Sequence, residues 1–589
     1  MEVPCMIRSV LADCTIVVRR SWRGDAPDTC TLPLARQHSI VRASDRRTTA
    51  NYTYDVNDTA SPATPTIVVA DDLPASAIDL LRAEGWSVDA RTGRTPDALA
   101  ADLANADALV VRSATKVTAA LIDAAPRLRA IARAGTGVDN VDVSAASARG
   151  IVVMNAPGAN SVSVAELAMG FVLALARHLP AADAAMKQGK WEKKKFLGEE
   201  VRDKVLGLAG LGRIGQEVAR RAAGFGMRLI AHDPFISEKI ASDLGVELVS
   251  LDDLFVRADY LSLHMPSNAQ TRKLVNAERL ARAKKGLRII NTARGDLVDE
   301  QALAEAIESG QIAGAGLDVF EKEPTVDQRL QKLPQVLATP HIAASTREGQ
   351  ELVGEETAEA LRDFLKDGLI RNAVNFPSVS AEEFKRLQPY VVLGERLGTF
   401  VAQMNDHRIT SVSIRYYGEI AQGKTAIVRN AILSGVFKPL LSTGITVINA
   451  AGVAAERGIE VVESHSTRTR NYASLISLRL RSSQGERWVE GAVFEHATPR
   501  LVLIDDITVE AHLEGTMIVT CNTDQPGVIG AVGTVLGKHQ INIAQFALGR
   551  NGDRAMGIVT VDEPTPIPDK VLDELRQQKA IREVRLVRI

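Results

Sequence analysis

The most constraining stretch of this chain is short. An apolar run, Val205 to Ala209, passes directly into Gly210-Leu-Gly212-Arg-Ile-Gly215 and then into QEVARRAAGFG, whose apolar positions recur at helical spacing. Strand, glycine turn and helix in that order predict a parallel βαβ unit, because a parallel neighbour is reached only through a crossover. Gly210 suits the tight turn, Gly212 lets an anion approach the backbone, and Gly215 lets the helix press on the strand. Such a triplet by itself is often only a turn. Asp233, 23 residues beyond Gly210 at the end of the next apolar run, adds a carboxylate that can accept from ribose hydroxyls and repel a 2′-phosphate. NAD rather than NADP is therefore the expected cofactor, the competing role for Asp233 being a turn residue before Pro234.

A dinucleotide unit accounts for only part of 589 residues, since about 150 residues per domain implies roughly four domains. With 46% apolar and 24% charged residues, the composition is that of globular domains. Lys plus Arg number 70 against 72 Asp plus Glu, so there is no general electrostatic footprint for nucleic acid or a membrane surface, and bound anions must be held locally. There is no run of 18 apolar residues, and no membrane partner is expected. Cys5, Cys14, Cys30 and Cys521 lack metal-ligand spacing, so neither a metal site nor a disulfide framework is expected, and a reducing, cytoplasmic setting fits.

Residues 1–64 lack hydrophobic periodicity and read as a disordered leader or an extra N-terminal extension. Eight Arg and no Lys among the first 50 residues are what an organellar transit peptide would carry, yet five acidic residues there argue against one. From Thr66, apolar runs alternate with helical patterns: TIVVAD, ALVVRS, LRAIARAG, IVVMN, then a helix over Val162 to His178 closed by Pro180. A second series begins at Lys204. The expected fold class is α/β: two doubly wound parallel-sheet domains, then an α+β domain and a C-terminal ferredoxin-like domain. The boundaries are 65–160 plus 346–376 for a substrate-binding domain, 161–345 for the NAD-binding domain, 377–512 for the α+β domain and 513–589 for the last.

Three polar groups follow later strands of the cofactor domain: Arg294 in NTARGD, Glu323 in LDVFEKEP and His341 in TPHIAAST. Ligands bind at that edge of a doubly wound sheet. Dehydrogenating a 2-hydroxy acid needs a base for the hydroxyl proton, a cation for the carboxylate and a partner that orients the imidazole, and these three residues can fill those roles. Each has an ordinary alternative, a helix cap, a solvated loop charge or a packed strand-end histidine.

Through LAGLGRIGQEVARR, NTARGDLVDE, LDVFEKEP and TPHIAAST, residues 66–376 resemble the D-isomer-specific 2-hydroxyacid dehydrogenases. VRSATKV, RAGTGVDNVD and GKWEKKKFLG are similar to the branch that oxidises D-3-phosphoglycerate to 3-phosphohydroxypyruvate at the start of serine synthesis. The resemblance implies that Arg294 binds the substrate carboxylate, His341 is the acid/base and Glu323 pairs with it. It implies NAD contacts from Thr136, Arg213, Ile214, Asp233, Thr292, Arg294 and Asp318, with Asp318 near the nicotinamide amide. Arg112, Ser113 and Arg133 would hold the phosphate, and Asn160 and Ser163 would line the interdomain hinge and cleft. A reductase for another 2-hydroxy acid such as glyoxylate, and a non-catalytic NAD sensor, remain alternatives.

Residues 381–512 resemble the allosteric substrate-binding domain of long members of this family, and 515–589 resembles an ACT domain. The latter implies an amino-acid effector, serine, held at a domain interface by Asp524 and Asn542 around the Pro526-Gly527 turn, in a homo-oligomer, a tetramer. An aromatic or histidine is usual in that family where this chain has Asn522.

Overall fold

The computed structural model describes residues 64–589 apart from 326–328, 442–443 and 563–566. The leader expected at 1–64 thus lies, Thr64 aside, outside the described residues. Four sheets follow one another. The first holds β1 (Thr66–Val69), β2 (Ser87–Ala90), β3 (Ala108–Val111), β4 (Ala130–Arg133) and β5 (Val152–Asn155), all parallel, in the order β2-β1-β3-β4-β5. Its central strands are buried on both faces, which is why β3 reads ALVV without alternation. β2, SVDA, is a half-exposed edge strand with no apolar run, so sequence periodicity passes over it.

The second sheet is parallel throughout. It comprises β6 (Val205–Ala209), β7 (Arg228–His232), β8 (Val246–Leu248), β9 (Tyr260–Leu263), β10 (Leu287–Asn291), β11 (Ile312–Leu317) and β12 (Val336–Ala338), in the order β12-β11-β10-β9-β6-β7-β8. The order reverses between β6 and β9, beside the glycine turn, and there the sheet opens a crevice at its carboxyl edge. The helix Ser161–Arg177 carries the chain into this domain. It ends where His178 turns left-handed at φ 53, and Pro180 falls in the first turn of a further helix, Leu179–Lys187, rather than closing the structure. The long helix Arg347–Asp367 returns to the first sheet, packing Ala358, Leu361 and Phe364 against it.

The third sheet is mixed: β13 (Ile409–Gly418), β14 (Glu460–Ser466), β15 (Ser474–Ser482), β16 (Gly485–Phe494), β17 (Thr498–Ile504) and β18 (Ile507–His512), ordered β14-β13-β15-β16-β17-β18. Among its described pairs β13 and β14 alone are parallel, joined through the buried helix Ala426–Phe437. The last sheet, β19 (Thr516–Thr523), β20 (Ile543–Asn551), β21 (Arg554–Val561) and β22 (Ile581–Arg588), has the order β20-β21-β19-β22 with two helices, the split βαβ arrangement.

One apolar cluster runs from Val69 and Met154 of the first sheet through Phe364 and Leu397 to Tyr416 of the third and Met517 of the fourth. The cofactor domain has clusters of its own, around Ile289 and Leu317 on one face and Leu208 and Val218 on the other. Interiors packed at crystal-like density transmit displacement. The first, third and fourth domains therefore share a core, and the cofactor domain joins them chiefly through the hinge segments at 156–163 and 343–346.

Candidate active site

A cleft of about 630 Å³ opens between the first two domains, lined by Ser113, Lys116, Arg133, Asp139 and Asn140 from one and by Ser267, Arg272, Lys273, Arg294, Asp296, Phe320, Glu321, Glu323 and His341 from the other. His341 stands on the loop after β12. Its backbone is left-handed, φ 53, which is uncommon for a residue other than glycine and needs support. That support is Asp318, wholly buried, whose carboxylate accepts the N–H groups of Ile342 and Ala343, each at 2.8 Å, and the hydroxyl of Thr339 at 2.5 Å. The family resemblance places Asp318 beside the nicotinamide. Its side chain is enclosed under the loop, where three short donors converge on it.

His341 Nδ1 lies 2.7 Å from Glu323 Oε2, and Glu323 Oε1 accepts the N–H of Phe320 at 3.0 Å. The hydrogen bond to Glu323 is the largest influence on the imidazole and raises its pKa against the opposing pull of burial. For Glu323, burial is the largest influence and acts upward, yet the bonds from His341 and Phe320 outweigh it and hold the carboxyl below its usual range. A carboxylate on Nδ1 sets the tautomer and leaves Nε2 for the ligand. His264, on the same sheet edge, is no competitor, since burial pushes it down to about 4 and keeps it neutral.

Cations converge on the cleft from both walls. Arg294 Nη1 donates to the Ala293 carbonyl at 2.7 Å, and its Nε meets Asp139 Oδ2 of the opposite domain at 3.0 Å. Arg133 has no ion pair among the described residues, and its Nε is buried without a hydrogen-bond partner. Burial first, then the neighbouring Arg294, push its guanidinium down to about 10, which still leaves it charged near neutrality. An unpaired, part-buried cation is costly unless an anion arrives to meet it.

Of the expected substrate contacts, Ser113 and Arg133 line this cleft and Arg112, Asn160 and Ser163 do not. Arg112 turns back to donate to the Asp72 carbonyl at 3.2 Å. Asn160 accepts from the Thr136 hydroxyl at 3.0 Å, tying the first hinge segment to the loop after β4, and Ser163 Oγ meets Thr346 Oγ1 at 2.7 Å, tying the two hinge segments to each other. Thr136, expected at the cofactor, is in that hinge network too. Sequence reasoning missed Lys116, Asp139, Arg272 and Lys273. Lys116 and Asp139 lie inside the blocks VRSATKV and RAGTGVDNVD, but nothing in the sequence distinguishes an exposed loop charge from a cleft-facing one.

The glycine turn fits a dinucleotide. Gly210 is left-handed at φ 100, and a Cβ there would come within 2.8 Å of the His264 carbonyl; at Gly215 it would meet the Gly210 carbonyl at 2.3 Å. At Gly212 it would meet nothing within 4 Å, so this residue faces open space at the N-terminus of the helix Arg213–Gly224, whose first turn no side chain caps. Asp233 accepts the N–H of Leu211 at 2.8 Å and of Phe235 at 2.9 Å, pinning the turn while each carboxylate oxygen keeps a second lone pair. Arg213 lies over Gly158 and Ile214 packs inward on the domain's apolar face. Thr292 Oγ1, just past β10, is buried and has no hydrogen-bond partner among the described residues, a polar atom that a bound ligand would satisfy.

In the last domain Asp524 Oδ1 stands 3.6 Å from Arg550 Nε, and Asn542 donates to Asp562 Oδ2 at 2.5 Å. Among the described residues no hydrogen bond joins Asp524 to Asn542. Asn522, where the resemblance implies an aromatic or histidine, is buried, and its Oδ1 has no hydrogen-bond partner among the described residues.

Residues 169–343 match the family model described as the NAD-binding domain of D-isomer specific 2-hydroxyacid dehydrogenases, 386–505 that of the D-3-phosphoglycerate dehydrogenase intervening domain, and 516–580 the ACT domain. The D-3-phosphoglycerate dehydrogenase of Methanocaldococcus jannaschii is 41% identical over 89% of this chain and 99% of its own length. That of Archaeoglobus fulgidus is 42% identical over 87% and 98%. Among solved structures, a glyoxylate reductase from Paecilomyes thermophila is 31% identical with a TM-score of 0.50, covering 53% of this chain and 99% of that one.

Proposed function

The chain belongs to the D-3-phosphoglycerate dehydrogenase family, and on that premise we propose that its interdomain cleft oxidises D-3-phosphoglycerate to 3-phosphohydroxypyruvate with NAD, the entry step to phosphorylated serine synthesis. The reading rests most on one observation, the His341–Glu323 pair at 2.7 Å, which faces a cleft whose opposite wall carries the unpaired guanidinium of Arg133.

Arg294 binds the substrate carboxylate, its planar fork offering parallel donors. Arg133, with Ser113 and Lys116 beside it, meets the phosphate. His341 Nε2 takes the proton of the C2 hydroxyl, and Glu323 stabilises the imidazolium that results. The Gly210–Gly215 turn, Asp233 and Thr292 would hold NAD, whose nicotinamide would supply the hydride acceptor for C2. In the reverse direction the same imidazolium returns its proton to the carbonyl oxygen.

The exposed apolar side chains of Leu179, Met186, Trp191 and Leu197, close in sequence on the cofactor domain, support assembly into a homo-oligomer, a tetramer in our reading. The ACT domain supports serine as the effector, with Asp524 meeting its ammonium and Asn542 hydrogen-bonding to it and shaping the pocket. The catalytic reading is tested by following NADH consumption with phosphohydroxypyruvate, glyoxylate and pyruvate. Selective turnover of the phosphorylated substrate is expected, and NADH binding without any turnover would favour a sensor instead. His341→Ala should lower turnover by about 10²- to 10⁴-fold without weakening NADH binding.

A further inference from the structure

Arg294 does not stand free at the cleft. Its Nε, on the cofactor domain, donates to Asp139 Oδ2 at 3.0 Å, and Asp139 belongs to the first domain, so the bond spans the two walls. The guanidinium also comes close to the loop that carries Asp139: a Cβ added to Gly137 would sit 1.7 Å from Nη2 and 2.7 Å from Asp139 Oδ2. Gly137 thus provides the space and Asp139 the charge, from positions two apart in one turn. Of the five N–H donors of a guanidinium, Nε is taken by Asp139 and one on Nη1 by the Ala293 carbonyl, which leaves both on Nη2 and one on Nη1 for a ligand. Arg133, on the same domain as Asp139, also lines the cleft, and the Asp139 carboxylate favours its charge while Arg294 opposes it.

From this geometry we propose that Asp139 is the positioning residue for Arg294: its carboxylate fixes the guanidinium edge-on across the cleft, so that the fork facing the substrate carboxylate is aligned only while the two domains are closed together. The inference rests on the proposed role of Arg294. Asp139 touches no reacting atom and acts through its partner. Its side chain is 72% exposed, so it is not a core contact whose loss would unfold the domain. With the cleft open, Arg294 loses this restraint and its hold on a carboxylate weakens, which couples product release to domain opening.

The test compares wild type, D139A, D139N and D139E for turnover of phosphohydroxypyruvate, with NADH affinity measured separately by fluorescence. D139A is expected to raise KM for the phosphorylated keto acid by about tenfold, the scale of one charge-assisted hydrogen bond, with the NADH dissociation constant unchanged. D139N, which keeps an acceptor for Nε, should fall between D139A and wild type, and D139E should recover part of the loss. In an R294K background, D139A should add less than about twofold. An unchanged KM in D139A, or a lowered one that would make Asp139 a competitor displaced by substrate, overturns the proposal, as does an undiminished D139A effect in R294K. A wild-type protein that turns over none of the 2-keto acids instead removes the catalytic reading on which it rests.

Discussion

The backbone N–H of His341 donates to the carbonyl of Asp318 at 2.9 Å, while the carboxylate of the same aspartate receives the next two N–H groups of the loop. One buried residue therefore holds the proposed acid/base in a left-handed backbone conformation that it would not adopt by preference. Asp318→Ala should strand the three donors that its buried carboxylate now receives, each worth about 1–3 kcal/mol. The expected outcome is a clearly lower unfolding midpoint by calorimetry together with lost turnover. A variant that melts like wild type would mean that the loop is held by other contacts.

Glu323→Gln removes the charge that raises the pKa of His341, without removing the acceptor. Oxidation needs the neutral imidazole, so its kcat/KM climbs with pH through the histidine's pKa. Lowering that pKa moves the climbing limb to lower pH. Reduction needs the imidazolium, and its falling limb should move to lower pH as well. Rate profiles in both directions check this, and a shift toward higher pH in either one contradicts the assigned pairing.

Cofactor choice is the third outcome. Asp233→Ala should weaken NAD use and relieve the discrimination against NADP, since it deletes both the ribose acceptor and the repelling charge. The loss should exceed that of a simple contact, because Asp233 also anchors the N–H of Leu211 within the glycine turn. The ratio of kcat/KM for the two cofactors measures the effect, and an unaltered ratio would place discrimination elsewhere.

Serine should lower activity without competing with substrate, because an effector acts only through differential affinity for two states, typically about 1–3 kcal/mol of coupling. The continuous apolar cluster from the fourth domain to the first offers a mechanical route to the cleft. Asn542→Ala should raise the serine concentration for half-inhibition and spare uninhibited turnover. Absence of both inhibition and thermal protection by serine in the wild type would turn the search to another amino acid, as the unusual buried Asn522 already suggests.

The features legible from residue order alone are local and periodic. The glycine turn, with Asp233 after the next strand, specifies its own neighbourhood, because each glycine meets a steric demand within a few residues of chain. Fully buried parallel strands such as β3 and β6 declare themselves as unbroken apolar runs, and Glu323 and His341 were legible because short motifs carry them to one sheet edge. Strands β2, β8 and β12 lie at or toward sheet edges and are short or half exposed, so their side chains carry little periodic signal. Tertiary structure alone decided which polar residues face the cleft. Asp318 was enclosed, Arg112 turned away, Asn160 and Ser163 became hinge ties, and Asp139 reached Arg294 from 155 positions away in the chain. A charged residue on a loop has the same local sequence whether it points to solvent, to a hinge or across a cleft; only the closing of two separately folded domains on each other assigns it a partner.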